Sequence, residues 1–537
     1  MIQIPRPPTA ELIAHYEGLG YWGERTFGDI LESRALQSPD REVIADEHRR
    51  ITYGGLYSEV KRFAEFLRRQ GVKKGDVVTL QLPNRIEFAV VFFSLELIGA
   101  VANKISADFR KTEVEYILRF SESKAYICAE EFKGFKFLDM VQELRPSLPA
   151  LALVVCVDNV DRAGVESFAK VVDATPEIAL ENRVRMSALD VMRMCFTSGT
   201  TGNPKGVLHC FNTTLWTAGL FNRELAVTEN EVMLGFLPVG LNWGYMNLVQ
   251  TVIAGCRIVL VEKFSPKAIL ELIEKEKISY IATPPAAIVA LLNTPELSIQ
   301  GMASLRLMVT GGASAAVETI KDFQSRIPGA KLVELYGMLE TGFHTITGLD
   351  QDPLKVNGTV GKCMPSMGLR IIDDEGNDVP YGEIGEIAAA GPAIHLGYLN
   401  NPQVNRESFT EDGWFRTGDL GQFVDQEGNL RISGRKKEII NRGGKKYFPR
   451  EIEELLYEHP SLLQVAVVGK PDLRLGEKNC LCAVIKPGAQ FTLEDAVEFL
   501  KGRVADYKLP EELVVLAELP MTPTGKIRRP ALVALVS

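Results

Sequence analysis

The chain has 537 residues, 46% of them apolar, and a formal net charge of −9. That length supports more than one core, and that charge excludes a general basic field for nucleic acid or anionic lipid. The start, MIQIPRPPTAELIAHYEG, lacks the cationic and apolar regions of a secretory signal, and the longest apolar stretch, FAVVFFSLELIGAVA (88–102), carries Glu96 and is too short for a membrane span.

Along the first third, helical and strand patterns alternate. LYSEVKRFAEFLRRQG (56–71) has helical spacing and ends in Gly, DVVTLQL (76–82) reads as a strand, and RIEFAVVFFSLELIGA (85–100) as a buried helix. The run Val191–Cys195 is read as apolar and leads into FTSGTTGNPKGV (196–207). Beyond it, EVMLGFL, RIVLV, SYIAT, LRLMVTG and KLVELYG predict strands, with helices at SPKAILELIEKEK and SAAVETIKDFQSRI between them. That order predicts layered α/β subdomains with a largely parallel sheet. After Asp352, short apolar runs separated by DEGN and DQEGN predict β-hairpins, a β-rich subdomain. From Lys437 a small α+β pattern follows, with EIEELLYEHP and LEDAVEFLKGRV as helices and QVAVVGK and NCLCAVIK as strands. Cys480 and Cys482 fall on one face of the last of these. The eight scattered cysteines are expected as free thiols in a reducing cytoplasm, and the six histidines form no zinc-spaced pair.

Five stretches carry chemistry. In FTSGTTGNPKGV, glycines let backbone amides approach a ligand, Thr197, Ser198, Thr200 and Thr201 add hydroxyls, and Lys205 adds a mobile cation, a set suited to a polyphosphate. It is not a Walker A loop: five residues after Gly199 stands Pro204, and Gly206 follows Lys205. TGGA (310–313) ends a strand and offers close approach to a flat ligand; taken alone it reads equally as an ordinary turn. YGMLETG (336–342) holds Glu340, suited to Mg²⁺ on a phosphate or, alone, to a solvated cap. In GWFRTGDL (413–420), Asp419 suits a ribose diol or a plain turn. TPTGKIRR (522–529) holds Lys526 on a loop that alone reads as a solvated tail. Together these suit attack on an α-phosphate with pyrophosphate leaving.

With GRKKEIINRGG (434–444) added, the motifs from about residue 30 to 529 resemble, in order, those of the adenylate-forming superfamily: acyl- and aryl-CoA synthetases, peptide-synthetase adenylation domains and firefly luciferase. The nearest look is to CoA ligases for aryl, alicyclic or medium-chain acids. The resemblance implies an N-terminal AMP-binding domain over 1–436 and a mobile C-terminal lid over 437–537, hinged near Lys437. It implies ATP, Mg²⁺ and coenzyme A as reactants and cofactor, with no nucleic acid and no integral membrane segment, as monomer or homodimer. It places Thr197, Ser198, Gly199, Thr200, Thr201, Gly202 and Lys205 on the phosphates. Glu340 falls on the metal. Gly311, Gly312 and Tyr336 fall along the adenine, Ala313 and Gly337 elsewhere on the nucleotide, Asp419 on the ribose, and Arg435 on ribose or phosphate. Lys526 would bridge the acid's carboxylate and the α-phosphate, then leave while Gly443 and Gly444 come beside the pantetheine path. Asn242, Trp243 and Gly312 would face the acid, with Trp243 shortening its pocket. Leu339 stands where the superfamily usually has Thr, so that hydroxyl is missing or supplied by Thr341. A stand-alone enzyme loading a carrier protein is the alternative.

Overall fold

The structure is a computed structural model and describes residues 2–197, 204–312, 315–356, 358–522 and 526–537. Two sheets organise the larger part. A seven-stranded sheet runs parallel through Val101–Lys104, Val77–Gln81, Ala125–Cys128 and Leu153–Cys156, with the hairpin Val191–Thr197/Lys205–Cys210 closing one edge. A nine-stranded sheet has a parallel centre that includes Val232–Gly235, Tyr280–Thr283, Leu307–Gly311 and Lys331–Met338. Its strands are almost wholly buried, as parallel strands covered on both faces must be.

One continuous core joins the two sheets, taking Leu80 and Ala102 from the first and Met233, Ile258 and Val309 from the second. The helices Ile86–Leu97, Phe211–Glu224 and Asn242–Ala254 contribute to it. The first is buried nearly all round, which accounts for its unbroken apolar sequence. Local chemistry sets the boundaries. Thr26 and Asp29 form a reciprocal cap at the start of Phe27–Gln37, and Gly255 ends Asn242–Ala254 in a left-handed conformation.

A four-stranded antiparallel sheet (Gly368–Ile372, Gly385–Ala390, Phe415–Phe423, Leu430–Arg435) follows. The C-terminal part builds its own mixed sheet around the hairpin Leu462–Asp472/Gly476–Ile485, with two apolar clusters of its own. The expected α/β class with a smaller α+β C-terminal unit holds. Among the described residues no helix is long and apolar enough to cross a membrane, and no group of three or more metal-ligating side chains gathers. All eight cysteines are free.

Candidate active site

Lys205 opens its strand opposite Thr197, and its ammonium lies 5.3 Å from the centroid of the Tyr398 ring. The Tyr398 hydroxyl donates to Glu340 Oε1 at 3.0 Å. Glu340 comes just after the strand Lys331–Met338 and is buried. Burial pushes its carboxyl above the usual carboxylate range, against the Tyr398 hydrogen bond and the Arg435 charge. Lys205, Glu340 and Tyr398 line a cavity of about 420 Å³ together with Thr417, Lys436 and Lys437. Ser198, Gly199, Thr200, Thr201 and Gly202, expected on the phosphates, lie outside the described residues, as does Ala313.

Asp419 faces Arg435 across the two strands Phe415–Phe423 and Leu430–Arg435. Arg435 Nε meets Asp419 Oδ1 at 2.9 Å, and the Tyr336 hydroxyl donates to Oδ2 at 2.9 Å. Each carboxylate oxygen thus has a fixed partner. The Asp419 charge holds the Arg435 guanidinium above its usual range, and burial raises the Tyr336 phenol far above its own.

The turn after Leu307–Gly311 needs its glycines. Gly312 has φ +81°, and a Cβ there would lie 3.0 Å from Lys526 Cε. A Cβ on Gly311 would meet Leu335 at 2.9 Å, and one on Gly337 would meet the Gly342 carbonyl oxygen at 2.2 Å. Lys526 therefore lies against Gly312, its backbone N–H donating to Thr522 Oγ1 at 3.0 Å. Its residue surface stays open to solvent, yet protein crowding and the Arg435 charge lower the ammonium below the usual lysine range. Asp419, Glu340 and Glu438 pull the other way.

Asn242 and Trp243, expected to face the acid, begin the helix Asn242–Ala254. Among the described residues, the buried Asn242 Oδ1 and Trp243 Nε1 atoms have no hydrogen-bond partner. Gly443 and Gly444 form the two-residue tip between Ile440–Arg442 and Lys445–Tyr447, with φ of +59° and +82°. The turn itself demands both glycines, and the space beside Gly444 is open. Lys437 sits in the short helical turn Lys436–Glu438 between the antiparallel sheet and the C-terminal unit.

The AMP-binding enzyme profile matches residues 31–399, more than half of the chain, and the AMP-binding enzyme C-terminal domain matches 451–526. The chain belongs to the AMP-binding enzyme family. It is similar to the medium-chain fatty-acid–CoA ligase of Escherichia coli K12, at 31% identity over 96% of this chain and 91% of that one. It is similar to the 2,3-dihydroxybenzoate-AMP ligase of Bacillus subtilis 168, at 30% over 97% and 96%. Among solved structures, the anthranilate CoA ligase AuaEII in complex with anthranoyl-AMP matches with a TM-score of 0.88, at 26% identity over 96% of this chain and 97% of that one. The expectation of an ATP-dependent, adenylate-forming ligase is met.

This AMP-binding enzyme corrects two readings of its sequence. Thr341 does not replace the hydroxyl missing at Leu339: it is fully buried and its Oγ1 donates to the Gly342 carbonyl at 3.2 Å. The run Val191–Cys195 is not simply apolar, because it holds Arg193, only 1% exposed. Three neighbours escaped the sequence. Tyr398 reaches the site from 58 residues beyond Glu340. His209 Nε2 lies 2.7 Å from the Leu339 carbonyl and Nδ1 3.0 Å from Thr213 Oγ1. Because a carbonyl only accepts, Nε2 carries the proton, and burial beside Arg193 keeps the ring neutral. Lys104, fully buried at the end of Val101–Lys104, is the third. Its sequence signal is slight, a lysine ending the short strand VANK.

Proposed function

We propose that the protein is an ATP-dependent carboxylic acid–CoA ligase acting on a small aromatic, alicyclic or medium-chain acid. In the first step, one oxygen of the acid's carboxylate attacks the α-phosphorus of ATP. The new P–O bond gives acyl-AMP, and the bond to the β-phosphate breaks with its electrons on pyrophosphate. In the second step, the thiolate of coenzyme A attacks the acyl carbonyl, and AMP departs.

The observation that carries this reading is Lys526 lying against Gly312 within the fields of Asp419, Arg435 and Glu340. A cation there meets both the acid's carboxylate and the α-phosphate, where negative charge spreads in the first step. Lys205 and the Thr197 loop take the outer phosphates. Asp419 accepts from the ribose hydroxyls while Arg435 and Tyr336 hold it in place. Glu340 suits Mg²⁺: one buried carboxylate fixed by Tyr398, lining the same cavity as Lys205, matches an ion that takes most of its remaining ligands from phosphates and water. When bound, the ion neutralises phosphate charge.

The division at 436/437, the hinge at Lys437 and the passage of pantetheine by Gly443 and Gly444 belong to the same proposal. Their support is a short turn joining two separately packed units and a narrow, open hairpin tip. Eight free cysteines suit a reducing, cytoplasmic compartment. A second reading, transfer to a carrier-protein pantetheine, is favoured by a similarity of 31% to a pyochelin synthase component, PchD, of Pseudomonas aeruginosa.

The test mixes the protein with Mg·ATP, free CoA and a panel of benzoates, alicyclic acids and graded fatty acids, read by mass spectrometry. Acyl-CoA from one subset is expected. Acyl-AMP without acyl-CoA would move the acceptor to a carrier protein.

A further inference from the structure

Lys104 and Arg193 come from adjacent parallel strands, with Cys195 opposite Lys104 and Ala102 opposite Arg193, so both side chains emerge on one face. Both are essentially without solvent contact. They flank one ring: Lys104 Nζ lies 4.8 Å and the Arg193 guanidinium 5.0 Å from the Tyr245 centroid. Among the described residues neither forms an ion pair. Among those residues Lys104 Nζ has only a weak thiol contact with Cys195, and Arg193 Nη1 and the Tyr245 hydroxyl have no hydrogen-bond partner. Arg193 Nε reaches Thr214 Oγ1 at 3.3 Å. Burial lowers the Lys104 ammonium only to about 8, so it is mostly charged at neutral pH.

Two buried cations without an anion are costly, and a ring face offsets only a fraction of their lost hydration. Their place bears on the acid. Tyr245 stands in the first turn of the helix that begins with Asn242 and Trp243, whose own buried polar atoms are also unpaired among the described residues. His209 feels both cations and bonds the carbonyl of Leu339, the residue before Glu340. With Asn242 and Trp243 expected to face the acid, the cation pair then backs the acid side of the site.

We propose that the acid activated here carries a second carboxylate, which enters between Lys104 and Arg193 and accepts from them and from the Tyr245 hydroxyl. The Arg193 fork and the Lys104 point charge together match a carboxylate's two oxygens. This rests on the ligase reading and narrows its substrate class to dicarboxylic acids.

The test pairs each of a series of aliphatic and aromatic diacids with its monomethyl ester. Pyrophosphate release with Mg·ATP gives kcat/KM, and calorimetry without turnover gives binding. One diacid length is expected to exceed its monoester by about tenfold or more, the scale of a charge-assisted bond. Lys104→Met and Arg193→Met should each cut that diacid's kcat/KM by about tenfold to a hundredfold and bring the diacid-to-monoester ratio towards one. Preference for monoesters by the wild-type protein, or an unchanged ratio in folded variants, overturns the proposal while leaving the ligase standing. If no acid turns over, the ligase reading fails. Calorimetry then decides this one alone: diacid binding that the variants lose supports it, and absent or unaltered binding overturns it. The wild-type ratio decides even where a variant does not fold.

Discussion

The proposed nucleotide side and the proposed acid side of this site are built in opposite ways. Around Asp419 and Glu340, polar groups are already paired: Arg435 and Tyr336 hold one carboxylate, and Tyr398 holds the other. Around Lys104, Arg193, Asn242 and Trp243, buried polar atoms stand unpaired among the described residues. A paired network is preorganised for a ligand of fixed chemistry, as the proposed nucleotide is. An unpaired one depends on its ligand for completion, and so discriminates among ligands that do or do not complete it.

Lys526→Ala would break this comparison most severely, because that lysine serves both sides. Acyl-AMP formation is expected to fall by at least about a hundredfold for every acid, while thioester formation from supplied acyl-AMP persists. Pyrophosphate release and thioester yield measured separately would check it; equal loss of both steps would sink the two-state picture. Asp419→Asn touches the nucleotide side alone. It should raise the KM for ATP by about tenfold, by the same factor whichever acid is present. A factor that changed from acid to acid would show that the two sides are coupled. Tyr398→Phe is the smallest change, a few-fold loss of rate near neutral pH. Glu340 must be ionised to hold a cation, its pKa is already raised, and the Tyr398 bond opposes that rise. Activity is lost as pH falls through that pKa, so the variant's acid limb should move to higher pH in a pH–rate profile.

Much of the fold was legible because its strands are apolar runs alternating with amphipathic helices, a pattern that burial on both faces imposes. The stretches expected on the nucleotide stood out for a different reason: glycines that the backbone requires mark them, Gly312 in a left-handed conformation and Gly337 against the Gly342 carbonyl. What escaped was brought in by packing. His209 meets Leu339 across 130 residues, and no local pattern announces that meeting. Lys104 and Arg193 each look like an isolated cation on a strand. Only the parallel register of those strands puts them on one face beneath Tyr245. Thr341 misled because a hydroxyl near the metal carboxylate looks available, whereas the strand that follows it turns the side chain inward.

The Asp419–Arg435 pair is also the final rung of its antiparallel ladder, since Lys436–Glu438 leaves the sheet at once. A rotation beginning at Lys437 would break no sheet hydrogen bond and would leave Arg435, Asp419 and Tyr336 with the larger body. Lys526 would travel with the other. The ribose contact would then outlast the contact made by the lysine, so AMP would stay bound while the thiol attacks and would be released only after the thioester has formed.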